Sequence, residues 1–191
     1  SAFGESVAGV GDLDGDGCTE LAVGNERNGI LRGLAHVFHF GPGVTAVRRE
    51  VRLEPPARAS AFGHAFDAGD LDGDGYDDLV VTAHGTSLGA SGTVGRAYVY
   101  PGGTSGVPEV PSFVLAPPTG TSGSFGAALS VAGDLDGDGF RDVVVTDPFV
   151  NGYAGRAFVF RGADGGPAIS AAPELPPPDG AAGQFGWSIA R

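Results

Sequence analysis

The sequence predicts an all-β protein of stacked, four-stranded antiparallel sheets, and three observations lead there. One is punctuation: 35 glycines and 14 prolines interrupt a 191-residue chain that is still 41% hydrophobic. That is the composition of many short strands between turns, and it is too apolar for a disordered linker. Another is repetition: the heptapeptide GDLDGDG stands at 11–17, 69–75 and 133–139. The last is the texture of runs such as Val143-Val144-Val145 and Ala157-Phe158-Val159-Phe160. They are apolar on both faces, as strands covered on both sides are.

Taken in order, each repeat opens with a Phe-Gly pair, at Phe3, Phe62, Phe125 and again at Phe185, about sixty residues apart. The phenylalanine is expected to pack between sheets while its glycine permits close backbone approach. The acidic loop follows, and after it a β-branched run: ELAVG, DLVVT or DVVVT. A glycine-led apolar run comes next, GLAHVFHFGPG from Gly33, GRAYVYPGG from Gly95 and GRAFVFRGA from Gly155. A weaker fourth run ends in proline: VRLEPP, FVLAPP or PELPPP. Four short strands in a unit of this length are the signature of a propeller blade. Independent sixty-residue β-domains, each with one core face, would be marginal alone. The expected organisation is one region, 1–191, with repeats at about 1–59, 60–122 and 123–182, and 183–191 forming the first strand of a fourth.

The acidic loop carries the chemistry. Carboxylates at loop positions 1, 3 and 5 converge on one point only if the backbone wraps tightly, which glycines such as Gly73 and Gly75 allow. The intervening leucine, Leu71 in the second copy, is expected to turn into the blade core. Position 8 varies (Thr19, Asp77, Arg141), as an outward-pointing side chain would. Position 9 is acidic in every copy, and the expected side-chain ligands are Asp12, Asp14, Asp16 and Glu20; Asp70, Asp72, Asp74 and Asp78; and Asp134, Asp136, Asp138 and Asp142. Position 7 shares no side-chain chemistry, so the backbone carbonyls of Cys18, Tyr76 and Phe140 are the natural contributors, Cys18 being no thiolate ligand. Four carboxylates around one point repel unless a hard divalent cation joins them, and calcium suits a flexible all-oxygen cage better than magnesium. Three calcium ions are therefore expected, bringing the formal net charge from −12 to about −6. The loops are not EF-hands, because position 12 is Val23, Val81 or Val145 and the flanks read as strands.

Other classes are disfavoured. A net charge of −12 with no lysine argues against nucleic acid and anionic membranes. No apolar run approaches the roughly 20 residues that span a bilayer, so direct membrane insertion is not expected. A single cysteine forms no internal disulfide. No catalytic constellation is legible: His36 and His39 lie on opposite faces of one strand, His64 and His84 are isolated in the sequence, and neither a nucleophile elbow nor an H-E-x-x-H helix occurs. The expectation is a non-enzyme.

Phe-Gly, then D-x-D-x-D-G-x-x-D, then a β run and a glycine-led aromatic strand, resembles the FG-GAP repeat of integrin α-subunit β-propellers. The resemblance covers essentially the whole chain. It implies a seven-bladed propeller with calcium loops on one face, partner binding by other loops, and an extracellular or cell-surface setting. Two departures stand out: the Gly-Ala-Pro half is replaced by Gly24-Asn25-Glu26, Thr82-Ala83-His84 and Thr146-Asp147-Pro148, and Glu20 stands where aspartate is usual. Three blades and one strand do not close, so the chain is expected to be a processed or excised fragment of a larger surface protein, joined by its remaining blades or by a second copy as a homodimer. The expected function is a calcium-binding module for extracellular protein binding and cell adhesion. The alternatives are a lectin-like propeller with a glycan ligand and an accessory domain of a secreted enzyme. The variable loops 24–32, 83–94 and 147–154 are the expected partner contacts, and Trp187 reads equally as a binding aromatic or as filler between blades.

Overall fold

The computed structural model describes residues 3–25, 33–55, 61–84, 95–118, 124–168, 174–178 and 183–190. Twelve strands form three separate sheets, each a four-stranded antiparallel meander in sequence order. The first blade contains β1 (Ser6–Gly9), β2 (Leu21–Asn25), β3 (Leu34–Gly41) and β4 (Val44–Leu53). The second contains β5 (Phe62–Gly69), β6 (Asp78–Ala83), β7 (Arg96–Tyr100) and β8 (Phe113–Leu115). The third contains β9 (Leu129–Gly133), β10 (Asp142–Asp147), β11 (Arg156–Phe160) and β12 (Glu174–Leu175). One helical turn, α1 (Val150–Tyr153), lies between β10 and β11. No helix among the described residues is long and apolar enough to cross a membrane.

Burial explains why the second and third strands lack alternation. Every residue of β6 and of β10 is buried, because each sheet is covered on both faces. One apolar cluster joins the first two blades through Ala22, Val37, Leu53, Phe62, Val81 and Tyr98. A second joins the next two through Val80, Val99, Phe125, Val143, Phe158 and Phe160. The first strands β1, β5 and β9 are neighbours from blade to blade, so they hold the stack together along one side.

The Phe-Gly pair serves that stacking. Phe62 and Phe125 are fully buried between blades, whereas Phe3, on the open face of the first blade, is 57% exposed. The glycine that leads each third strand is the counterpart: a Cβ on Gly33 would lie 1.8 Å from the carbonyl oxygen of Phe62, and one on Gly155 2.1 Å from that of Phe185. Backbone meets backbone there, and only glycine leaves room.

The segment expected to open a fourth repeat is described over 183–190, and its Phe185 meets Gly155 as Phe62 meets Gly33. Phe185 makes a single parallel bridge to Gly155 and, with Ile189, packs on Val144, Ala157 and Val159. These apolar residues cover the outer face of the third blade, as Phe62 and Phe125 cover the first and second. Trp187 sits edge-to-face with Phe149 at 5.7 Å and stays 62% exposed. The partner loops expected at 24–32 and 83–94 lie largely outside the described residues.

Candidate metal centre

Each GDLDGDG loop wraps around the carboxylate of its first aspartate. Asp12 Oδ1 accepts from the Gly15 and Asp16 N–H groups at 2.7 and 3.1 Å, and its Oδ2 from Gly17 at 2.9 Å. Asp70 accepts from Gly73 and Gly75 at 2.7 and 3.1 Å. Asp134 accepts from Gly137, Asp138 and Gly139 at 2.6, 3.1 and 2.8 Å, and these donors draw its carboxyl below the usual range. The wrapping requires left-handed backbone at positions 4 and 6, with φ of 80° at Gly73 and 90° at Gly75.

The next two aspartates each cap the backbone two residues on. Asp14, Asp72 and Asp136 accept from the position-5 N–H groups at 3.2, 3.2 and 3.3 Å. Asp16, Asp74 and Asp138 accept from Cys18, Tyr76 and Phe140 at 2.9, 2.9 and 3.0 Å. The position-9 acids stand at the entry to each second strand, Glu20 just before β2 and Asp78 and Asp142 as the first residues of β6 and β10, and all three are buried. Their far oxygens accept from Leu13, Leu71 and Leu135 N–H at 2.7, 2.9 and 2.8 Å. In the second and third blades the other oxygen is also held, by Gly102 N–H on Asp78 at 2.9 Å and by Gly162 N–H on Asp142 at 3.0 Å.

These constraints bring ligand atoms together. Among the described residues, carboxylate oxygens lie within 4.8 Å of one another in Asp12, Asp14 and Asp16; in Asp70, Asp72 and Asp78; and in Asp134, Asp136 and Asp142. A fourth such group joins Asp14 and Glu20 to His39. The all-oxygen sets fit a hard divalent cation. Their electrostatics point the same way. Burial first, and then the neighbouring aspartates, push the Glu20 carboxyl up to about 7, against the pull of the Leu13 N–H. Burial raises Asp78 to about 6 although Gly102 and Leu71 donate to it. Carboxyls so disposed hold their charge poorly alone and readily beside a cation. The Cys18 thiol is likewise raised, by desolvation and its acidic neighbours, which disfavours the thiolate.

Two roles were invisible in the sequence. Position 8 does not point idly outward: Asp77 Oδ2 accepts the Asp12 N–H of the preceding loop at 2.9 Å, while the Asp77 N–H donates to the Asp12 carbonyl at 3.1 Å. Position 7 also reaches back. A Cβ on Gly15 would lie 2.6 Å from the Tyr76 ring, and one on Gly73 3.0 Å from the Phe140 ring. The aromatic residue at position 7 was the one available signal. The three loops are thus chained, each clasped by the next, with Leu13 and Leu71 carbonyls receiving Gly103 and Ala163 N–H groups at 3.0 and 3.1 Å.

The histidines divide as their strand parity requires. His36 faces outward, 2.7 Å from Glu50, while His39 is 2% exposed beside the first loop. His64 and His84, isolated in sequence, meet edge-to-face at 4.4 Å, and His64 also bonds the Ala127 carbonyl oxygen across the blade boundary. Both are half-buried.

Sequential four-stranded meanders stacked through their first strands, each headed by an acidic loop, define a β-propeller repeat protein. The chain belongs to the FG-GAP repeat family, whose model matches residues 3–35, 62–100 and 125–160. It is 36% identical over 174 residues to integrin alpha-5 of Xenopus laevis, a match covering 87% of this chain and 16% of the relative. It is 36% identical over 156 residues to human integrin alpha-IIb, covering 76% and 14%. To integrin alpha-PS2 of Drosophila melanogaster it is 30% identical over 173 residues, covering 83% and 11%. The chain thus spans less than a fifth of the length of these relatives.

Proposed function

We propose that this chain is a calcium-stabilised, integrin-like propeller module that binds an extracellular protein, in the manner of a cell-adhesion domain, and performs no catalysis. The observation that carries the metal half is the threefold convergence of carboxylate oxygens within 4.8 Å on glycine-wrapped loops. Each loop supplies its position-1, -3, -5 and -9 carboxylates and the carbonyl of Cys18, Tyr76 or Phe140. The adhesive half and the cell-surface setting rest on membership of the FG-GAP family and on similarity to integrin alpha chains. Calcium locks each loop and, through the Asp77–Asp12 clasp, the seam between blades. Partner contacts fall to loops away from the cation sites, including 147–154.

Calorimetric titration of the chelator-treated chain with calcium is expected to return three sites. Asp72→Ala is expected to remove one. The midpoint of thermal unfolding should rise with calcium, because an ion held only by the folded loops stabilises by about 2.7 kcal/mol per site at a hundredfold excess over Kd. Absence of binding heat together with an unchanged midpoint would sink the proposal.

A further inference from the structure

The first loop differs from the other two at two positions that meet in space. Strand register places Phe38 opposite Leu21, Tyr100 opposite Leu79 and Phe160 opposite Val143. The residue that follows is therefore one structural position, filled by His39, Pro101 and Arg161 in turn. Arg161 Nε lies 3.2 Å from Asp136 Oδ2 and sets a permanent cation on the position-3 carboxylate of the third loop. Pro101 offers the second loop nothing. His39 Nδ1 lies 3.2 Å from Asp14 Oδ2 and 3.8 Å from Glu20 Oε1 in the first.

The second difference is the extra methylene of Glu20. In the other blades the position-9 acid has both oxygens held by backbone N–H groups. Phe40 occupies the place of Gly102 in the first blade, and Glu20 Oε1 has no hydrogen-bond partner. It is carried instead toward the imidazole. Glu20 is 1% exposed and His39 2%, and His39 Nε2 also lacks a partner. Gly106 of the second blade closes over the ring, since a Cβ there would fall 2.5 Å from Cε1. A buried carboxylate oxygen aimed at a buried imidazole is a donor set awaiting a cation.

We propose that the first loop is a mixed nitrogen–oxygen site in which Asp14, Glu20 and His39 hold a first-row divalent cation of the zinc class, while the second and third loops take calcium. This rests on reading the loops as cation sites. Calcium takes oxygen donors, whereas imidazole suits zinc and its neighbours. Zinc bonds of about 2.0–2.1 Å put tetrahedral ligands roughly 3.3 Å apart, close to the 3.2 Å between His39 and Asp14. A small inward movement of Glu20 completes the set, and water takes the remaining position. The competing role for His39 is to donate Nδ1–H to Asp14 and orient it toward calcium.

The test is a metal count. Chelator-stripped chain is equilibrated with millimolar calcium and micromolar zinc, desalted, and measured by inductively coupled plasma mass spectrometry. The expected content is one zinc and two calcium ions per chain, falling to no zinc in His39→Gln. Thermal unfolding in calcium checks that this variant folds. Independently of any variant, pulsed electron paramagnetic resonance of the Mn2+-loaded wild-type chain should show modulation from a directly bonded imidazole nitrogen. Three calcium ions and no zinc in the wild type, equal zinc in His39→Gln, or no nitrogen modulation would overturn the proposal and leave the loops as calcium sites. No bound metal of either kind would overturn both readings.

Discussion

At the scale of single residues, glycine is used for two separate reasons. Gly73 and Gly75 are needed for their left-handed backbone, but Gly102 is needed for space. A Cβ there would lie 2.3 Å from the Asp77 carbonyl oxygen and 3.1 Å from that of Leu13. Gly102→Ala is expected to cost about 1–3 kcal/mol of stability, as overpacking does, and to weaken calcium binding by displacing the Gly102 N–H from Asp78; denaturant melts and titration of the variant check both. The buried acids give a pH signature. Glu20 rises from an ordinary 4.5 to about 7 and Asp78 from 3.8 to about 6. Between roughly pH 4 and 7 these two carboxyls therefore hold more protons in the cation-free folded state than in the unfolded chain, so their contribution to stability falls as pH rises, while the depressed imidazole of His39 works the other way. Calcium is expected to reverse the trend, because it would need the ionised carboxylates. Melting series across pH, in chelator and in calcium, should slope in opposite directions.

At the scale of elements, the loop is also a joint. Its leucine shows this by contrast: Leu13 and Leu71 are fully buried beneath the following blade, whereas Leu135 has no described blade over it and is 54% exposed. Leu71→Ala is expected to cost about 2–5 kcal/mol and Leu135→Ala to stay within about 0.5 kcal/mol, a difference that chemical denaturation resolves. The clasp from one loop to the previous one predicts coupling. Cation binding to the first two loops should be cooperative, and Asp77→Ala should flatten the isotherm while leaving the proposed ligands of both loops in place. Independent, identical isotherms in wild type and variant would show that the clasp transmits nothing.

At the scale of the whole molecule, the two outer faces of the stack remain apolar. Phe3 and Val7 on the first blade are 57% and 59% exposed, and Leu135, Leu175 and Trp187 at the other end 54%, 42% and 62%. Phe3 and His36 meet edge-to-face at 5.3 Å on that open face, with Phe38 stacked beyond His36 at 6.2 Å. Faces of this kind associate when nothing else covers them. Light scattering of the chain in calcium is expected to return a mass above 19.0 kDa; a strict monomer would remove self-association.

The sequence by itself determined the strand count of each blade, the all-β class and the place of the acidic loops, because those depend on local quantities: apolar run length, turn residues, and the 1-3-5-9 spacing of carboxylates. Its limits were spatial. Nothing in the chain order announced that Asp77 bonds the loop 65 residues before it, that Tyr76 lies over Gly15, or that His39 joins Asp14 and Glu20. Those facts arise where one blade meets another or where a strand returns beside its own loop. Only stacking brings such distant groups within hydrogen-bond reach.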